Sequence, residues 1–254
     1  MALGPRCGCP RHCSRRASAR PLQIGQIAGG EGRRRVYATS GATPADGAYV
    51  RYPVDDLLGV VALESQRARC LVVGEDLGVV EPALRDALAA RDILSYRLAW
   101  FEERPAAEFP RVAMAAVTTH DLPTVAGFMS GGDLAHLREI GVLDDETAAR
   151  FGEREQGERQ RLRERLASES IDGAWSDDPR DVARALHAFV GRTPCMLACA
   201  SLDDAVGAAQ RPNVPGTIDQ HPNWRLPLPV SLEQIAADPI VRASLAPLAA
   251  RAAG

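Results

Sequence analysis

The feature that most constrains the fold of this 254-residue sequence is a set of short apolar runs that end in polar residues. The first run leads directly into Glu75 and Asp76, and the third leads into His120 and Asp121. Short apolar runs bounded in this way are typical of parallel strands that are buried on both faces. Four such runs predict strands, at residues 70–73, 95–101, 112–117 and 195–201.

Helical patterns separate these runs. The pattern is strongest where Asp178 and Pro179 provide a cap and a first turn, and Gly191 provides a stop. Alternating strands and helices predict an α/β fold built of parallel βα units, although a closed barrel needs eight strands. The charged stretch in the middle of the chain predicts a solvated helical insertion. The predicted helices cover residues 55–69, 82–90, 133–169, 178–191 and 232–253.

Charge and cysteine usage exclude several classes of function. The formal net charge is −3 and the pI is about 6.0, so no basic field favours nucleic acid or an anionic membrane. No apolar run is long enough to span a bilayer, and the first twenty or so residues lack the apolar stretch of a secretory signal. The six cysteines show no repeated pair spacing. We therefore expect reduced thiols and a cytoplasmic protein.

Residues 1–44 differ in composition from the rest of the chain. This segment contains eight arginines and a single acid, Glu31, and its apolar residues follow neither the helical nor the strand periodicity. We expect a disordered basic arm that makes no sheet pairing up to about residue 40. Other interpretations are an organelle transit peptide, a GC-rich gene read out of frame, or a zinc site. The zinc ligands would be Cys7, Cys9, His12 and Cys13.

The acids at the strand ends are the candidate catalytic groups. Glu75 and Asp121 follow two strands with the run 95–101 between them, so both would face the mouth of one barrel. Paired carboxylates suit glycosidic chemistry, in which one acid protonates the leaving oxygen and carboxylate charge stabilises an oxocarbenium-like centre. Two structural alternatives remain. Glu75 and Asp76 could cap the next helix, and His120 with Asp121 could satisfy a local hydrogen bond.

Several motifs occur in an order and spacing that resemble the 4-alpha-glucanotransferase (amylomaltase) branch of the alpha-amylase superfamily. The resemblance extends from about residue 41 to the end of the chain. It implies that residues 45–254 are the C-terminal half of a catalytic (β/α)8 TIM barrel. The motifs are DGAYVRYPVDDLL at 46–58, ALESQR at 62–67, VGEDLG at 73–78, THDLPT at 119–124, NVPGT at 213–217 and NWR at 223–225.

The resemblance also implies roles for individual residues. Glu75 would be the general acid/base of a retaining double displacement, Asp121 the stabiliser of the transition state, and His120 a hydrogen-bonding contact to the sugar. Family members act on alpha-1,4-glucans and malto-oligosaccharides and need no organic cofactor and no catalytic metal. We interpret Trp224 and Arg225 as structural, a stacked and paired anchor under the last loop.

The sequence departs from the family pattern at the nucleophile. A retaining mechanism needs a nucleophilic carboxylate, which the family supplies from an Arg-x-Asp-His motif upstream of residue 46. This sequence contains no Asp-His pair, and no Asp precedes Gly41. We expect a truncated or frame-shifted product. It is either part of an active enzyme or a catalytically inactive remnant that at most binds glucan.

Overall fold

The structure is a computed structural model that describes residues 33–37, 47–78, 80 and 82–252. Its centre is a four-stranded sheet in the order β3-β4-β5-β6, and all three neighbouring pairs are parallel. A parallel strand is present at each of the four predicted positions, but the first shares only Val73 with the predicted run 70–73 and the last covers only two residues of the run 195–201. The strands are β3 (Val73–Gly74), β4 (Leu94–Leu98), β5 (Ala113–Ala116) and β6 (Leu197–Ala198).

A separate two-stranded sheet precedes the helices. β1 (Arg33–Tyr37) pairs antiparallel with β2 (Gly47–Arg51). The expectation that residues up to about 40 make no sheet pairing is therefore wrong for β1. A ladder is built from backbone hydrogen bonds, so a strand can pair without the apolar alternation that predicts a half-buried strand. The proposed zinc ligands at residues 7–13 lie outside the described residues.

Helices connect the strands of the central sheet. One helix links β3 to β4, four lie between β5 and β6, and three follow β6, while β4 and β5 are joined by the 3-10 turn Ala106–Glu108. In chain order the helices are α1 (Val54–Ala68), α2 (Pro82–Ala89), α3 (Val125–Ser130), α4 (Gly132–Glu139), α5 (Asp145–Ser168), α6 (Pro179–Gly191), α7 (Leu202–Val206), α8 (Leu232–Ala237) and α9 (Pro239–Ala252).

The main core lies between β5 and the helices α3, α5 and α6. Phe189 of α6 packs edge-to-face against Phe109, with ring centroids 5.7 Å apart. The long charged helix α5 contributes Leu162 and Leu166 to this core, and its Arg165 guanidinium lies 4.8 Å from the centroid of Phe189. The helical insertion is confirmed, but α5 is not merely solvated. One narrow apolar stripe is enough to bury a helix whose composition is mostly charged.

Among the described helices, none is both long and apolar enough to cross a membrane.

Candidate active site

The first candidate acid, Glu75, comes directly after β3. Gly74 is the last residue of this strand, and a Cβ there would lie 3.3 Å from the side chain of Leu88, so the strand packs closely against α2. The Glu75 side chain is exposed, and no described residue forms a hydrogen bond or ion pair with its carboxylate. The structure therefore places an exposed carboxylate at the carboxyl end of a parallel strand, which is where barrel enzymes carry their catalytic groups.

The neighbouring acid, Asp76, has a different environment. Its residue is 2% exposed, and its carboxylate accepts hydrogen bonds from the Ser95 hydroxyl at 2.6 Å and the Tyr96 backbone N–H at 2.8 Å. Two guanidinium groups, of Arg85 and Arg97, each lie 3.3 Å from Oδ2. Asp76 thus ties the end of β3 to β4, and it does not cap helix α2 as the structural alternative expected.

The second candidate acid, Asp121, lies in the loop that follows β5. Its Oδ1 accepts a hydrogen bond from Asn213 Nδ2 at 2.6 Å and lies 3.3 Å from Nε2 of His120. The guanidinium of Arg211 donates to the backbone carbonyl of Asp121 at 2.8 Å. Among the described residues, no donor binds Oδ2 of Asp121. One oxygen of this half-exposed carboxylate is therefore held in place, and the other is open to a ligand.

His120 lines an open cavity of 190 Å³ at the carboxyl edge of the sheet. Tyr96 of β4 and Cys199 of the segment after β6 lie on the same wall. Burial raises the pKa of Tyr96 to about 12, with smaller contributions from Cys199 and from the Glu75 carboxylate. Glu75 is thus near enough to act electrostatically on a residue of the cavity that His120 borders. That Glu75 and Asp121 point into one concave site stays a prediction.

Trp224 also belongs to this region. Its ring centroid lies 4.8 Å from that of His120, and the residue is 65% exposed. Trp224 therefore contacts a candidate site residue at the surface, but the two rings are tilted by 52° and are not stacked in parallel. Arg225 is exposed, and no ion pair to it is present among the described side chains, so the expected pairing is not observed.

Sequence reasoning gave no individual role to Tyr96, Arg211 or Asn213. Asn213 lies within the NVPGT motif, so a signal for it was present. Nothing local in the sequence links Arg211 to Asp121, which is 90 residues away.

A larger cavity of 460 Å³ lies between the end of β4 and α5. Its acids belong to α5 and the loop after β4, and Glu158 is already paired with Arg154 at 2.7 Å. Neither Glu75 nor Asp121 lines either cavity, but the smaller one is bordered by His120, the neighbour of Asp121, at the carboxyl edge of the sheet, and it is therefore the better candidate for catalysis. Throughout the described segments, no group of three or more His, Cys, Asp or Glu side chains is arranged to hold a metal ion.

A parallel sheet with polar residues at its carboxyl edge defines an α/β protein of the kind that includes barrels and open sheets, and comparisons with known proteins identify the family. The 4-alpha-glucanotransferase family profile matches residues 31–232. The 4-alpha-glucanotransferase of Mycobacterium tuberculosis is 41% identical over 217 residues, which cover 78% of this chain and 30% of that protein. The Haemophilus influenzae 4-alpha-glucanotransferase is 31% identical over 196 residues, covering 72% and 28% respectively.

The solved structures agree. Amylomaltase from Corynebacterium glutamicum superposes with a TM-score of 0.74 and 32% identity, covering 85% of this chain and 34% of that one. Amylomaltase from Streptococcus agalactiae in complex with acarbose gives a TM-score of 0.59 at 12% identity, covering 90% and 40%, which shows the fold alone. The chain therefore belongs to the 4-alpha-glucanotransferase family, and its fold is part of a TIM barrel. It spans about 30% of the length of the curated relatives it matches.

Proposed function

We propose that this chain carries the acid/base and transition-state-stabilising part of a 4-alpha-glucanotransferase, which transfers alpha-1,4-glucan segments to glucose or malto-oligosaccharides. The observation that carries the proposal is the placement of Glu75 and Asp121. Both follow strands of one parallel sheet, β3 and β5, with β4 between them. Residues 45–254 form the C-terminal half of the catalytic barrel in this proposal, and of residues 1–44 only Arg33–Tyr37 is described.

The environments of the two acids suit different roles. Glu75 is exposed and makes no hydrogen bond to a described residue, so its carboxyl is available to give a proton to the leaving oxygen and take one back from the acceptor. Asp121 is held through Oδ1 by Asn213, which leaves Oδ2 to stabilise positive charge at the sugar ring. His120 would donate a hydrogen bond to the same sugar, with Trp224 packed against its ring.

Retaining transfer also needs a nucleophilic carboxylate, and these 254 residues contain no Asp-His pair of the family type. This supports a second candidate function, in which the chain by itself binds glucan without transferring it. In both candidate functions the ligand is a carbohydrate of the glycogen and starch type.

We place the protein in the cytoplasm. The support for this location is the three free thiols at Cys70, Cys195 and Cys199.

The test is disproportionation of maltotriose by two proteins. The first is the 254-residue chain, and the second is a chimera that joins residues from about 41 onward to the upstream part of the Mycobacterium tuberculosis relative. The chimera should form glucose and longer oligosaccharides, and Glu75→Gln should reduce its rate by about 1,000-fold because the leaving oxygen loses its proton donor. The chain alone should bind glucan in an affinity gel without transfer.

Two results would contradict the proposal. One is a folded chimera without transferase activity, and the other is a Glu75→Gln chimera that retains it. Robust transfer by a purified, correctly sized sample of the chain alone would require a nucleophile other than the one that the family supplies.

A further inference from the structure

Helix α4 holds the loop formed by residues 211–225 at two points. Asp133 and His136 are three residues apart, so they lie on the same face of the helix. Asp133 binds the Arg211 guanidinium through both carboxylate oxygens, with 2.7 Å between Arg211 Nε and Oδ1. His136 Nε2 lies 3.0 Å from Nδ1 of His221. One face of a helix therefore contacts this loop at Arg211 and again at His221.

The direction of the hydrogen bonds through His221 follows from its partners. Nε2 of His221 lies 3.0 Å from the backbone carbonyl of Arg211, which only accepts, so Nε2 must carry the proton. A neutral ring then has a bare Nδ1, which accepts from Nε2 of His136. The residue is 1% exposed, and both of its ring nitrogens have a partner within the protein, as buried polar groups require. His221 therefore transmits a directed hydrogen bond from α4 to the carbonyl of Arg211.

Arg211 is consequently held at both ends, by His221 at its carbonyl and by Asp133 at its guanidinium. The remaining guanidinium nitrogen, Nη1, donates to the backbone carbonyl of Asp121 at 2.8 Å. Asn213, two residues further along, donates to the Asp121 carboxylate at 2.6 Å. The position of Arg211 thus determines its own bond to Asp121 and constrains that of Asn213, while Thr119 and His120 supply the remaining contacts to Asp121.

We propose that His221 is a positioning residue, which acts through Arg211 and Asn213 to orient the carboxylate of Asp121. The proposal rests on the assignment of Asp121 to transition-state stabilisation in the proposed function. His221 touches neither Asp121 nor the cavity beside His120 in this arrangement, so its effect on the reaction is indirect.

The first test reads the geometry without any activity, by NMR of the 254-residue chain. In His221→Phe the side-chain amide resonances of Asn213 should move towards the values of a free amide, because phenylalanine keeps a flat aromatic ring at this position but lacks both nitrogens. His221→Gln restores a donor and an acceptor and should keep the original resonances. His187→Phe is the matched control, since His187 is also fully buried but binds Ser244 between α6 and α9.

Two outcomes overturn the positioning role. One is an unchanged Asn213 signal in His221→Phe, and the other is an equal change in His187→Phe, which would mean that any lost buried histidine loosens the loop.

The second test uses the chimera with the Mycobacterium tuberculosis upstream part. His221→Phe should lower kcat by about 10-fold with KM changed less than about twofold, since misplacing a group that acts in the transition state affects the chemical step. His221→Gln should recover most of the loss. The control variant His187→Phe should keep its kcat. If His187→Phe lost as much kcat and kcat/KM as His221→Phe does, the proposal would be contradicted. If the unaltered chimera has no transferase activity, the proposed function fails, whereas the NMR comparison still decides whether His221 positions Asp121.

Discussion

At the end of β3, Glu75 is followed by Asp76, whose bonds to Ser95 and Tyr96 fasten it to the adjacent strand. At the end of β5, Asp121 is instead held by Arg211 and Asn213, which are 90 and 92 residues away in sequence. One candidate acid is positioned by its chain neighbour, and the other by a loop that folds back from beyond β6. The same edge of a sheet can therefore be organised by local or by long-range contacts, and we expect the two to respond differently to mutation.

The largest effect is expected from Asp76→Ala. Removing this buried carboxylate breaks two hydrogen bonds and leaves Arg85 and Arg97 without their shared partner. Breaking a buried ion pair from one side costs about 4 kcal/mol of unfolding free energy, and partial exposure of Arg85 reduces this somewhat. Urea unfolding measures the change. The adjacent Glu75→Gln is the matched control and should change stability by less than about 0.5 kcal/mol. Similar losses in the two variants would remove the distinction between these neighbouring acids.

A pH-dependent effect is expected at the β5 edge. Asp204 of α7 accepts a hydrogen bond from the Val125 backbone N–H at 2.8 Å, just beyond the loop that carries Asp121. Burial raises the pKa of Asp204 from 3.8 to about 7, a shift that the Val125 bond opposes and the Asp203 charge slightly increases. The folded state therefore holds this proton more tightly than the unfolded chain. The stabilisation is complete below about pH 4 and is lost as the pH rises to about 7.

This loss amounts to about 3 kcal/mol of unfolding free energy between those two pH values. Asp204→Asn cannot titrate and should flatten the dependence, as chemical unfolding at a series of pH values would show. A slope that persists unchanged in the Asn variant would mean that another group is responsible.

The smallest effect is expected from Asn213→Ala. The variant loses one hydrogen bond to a half-exposed carboxylate, so the unfolding free energy should fall by only about 1 kcal/mol. In the chimera, the same change should lower kcat by about 10-fold because the Asp121 carboxylate is no longer oriented. Asn213→Ala would thus have a small effect on the unfolding free energy and a larger one on the rate of glucan transfer. A loss of stability as large as that of Asp76→Ala would show that the loop holds the fold as well as the site.

The sequence predicted the local half of this organisation. The four strands follow from short apolar runs, two of which lead into acids and so place Glu75 directly after β3, and the Asp178–Pro179 start of α6 follows from capping chemistry. Such features depend on a few adjacent residues.

The remaining features depend on contacts between distant segments. The sequence alone does not show which of the adjacent acids Glu75 and Asp76 is buried. The register of β3 with β4 decides this, because it places the Ser95 hydroxyl and the Tyr96 N–H against Asp76. The attachment of Asp121 to the 211–225 loop could not be predicted because the hydrogen bonds join residues about 90 positions apart. The pairing of β1 with β2 was missed since the arginines of β1 show no strand periodicity.

The central claim, that Glu75 and Asp121 act on one sugar-binding site, is tested most directly by a crystal structure of the chimera bound to acarbose, the ligand in the Streptococcus agalactiae amylomaltase structure. We predict that the Glu75 carboxylate lies within about 3 Å of the atom linking two rings of the ligand, where an acid must protonate it. Asp121 Oδ2 should contact the ring on the same side of that linkage, with His120 beside it. Acarbose bound elsewhere, or bound with Glu75 and Asp121 facing different cavities, would contradict the account.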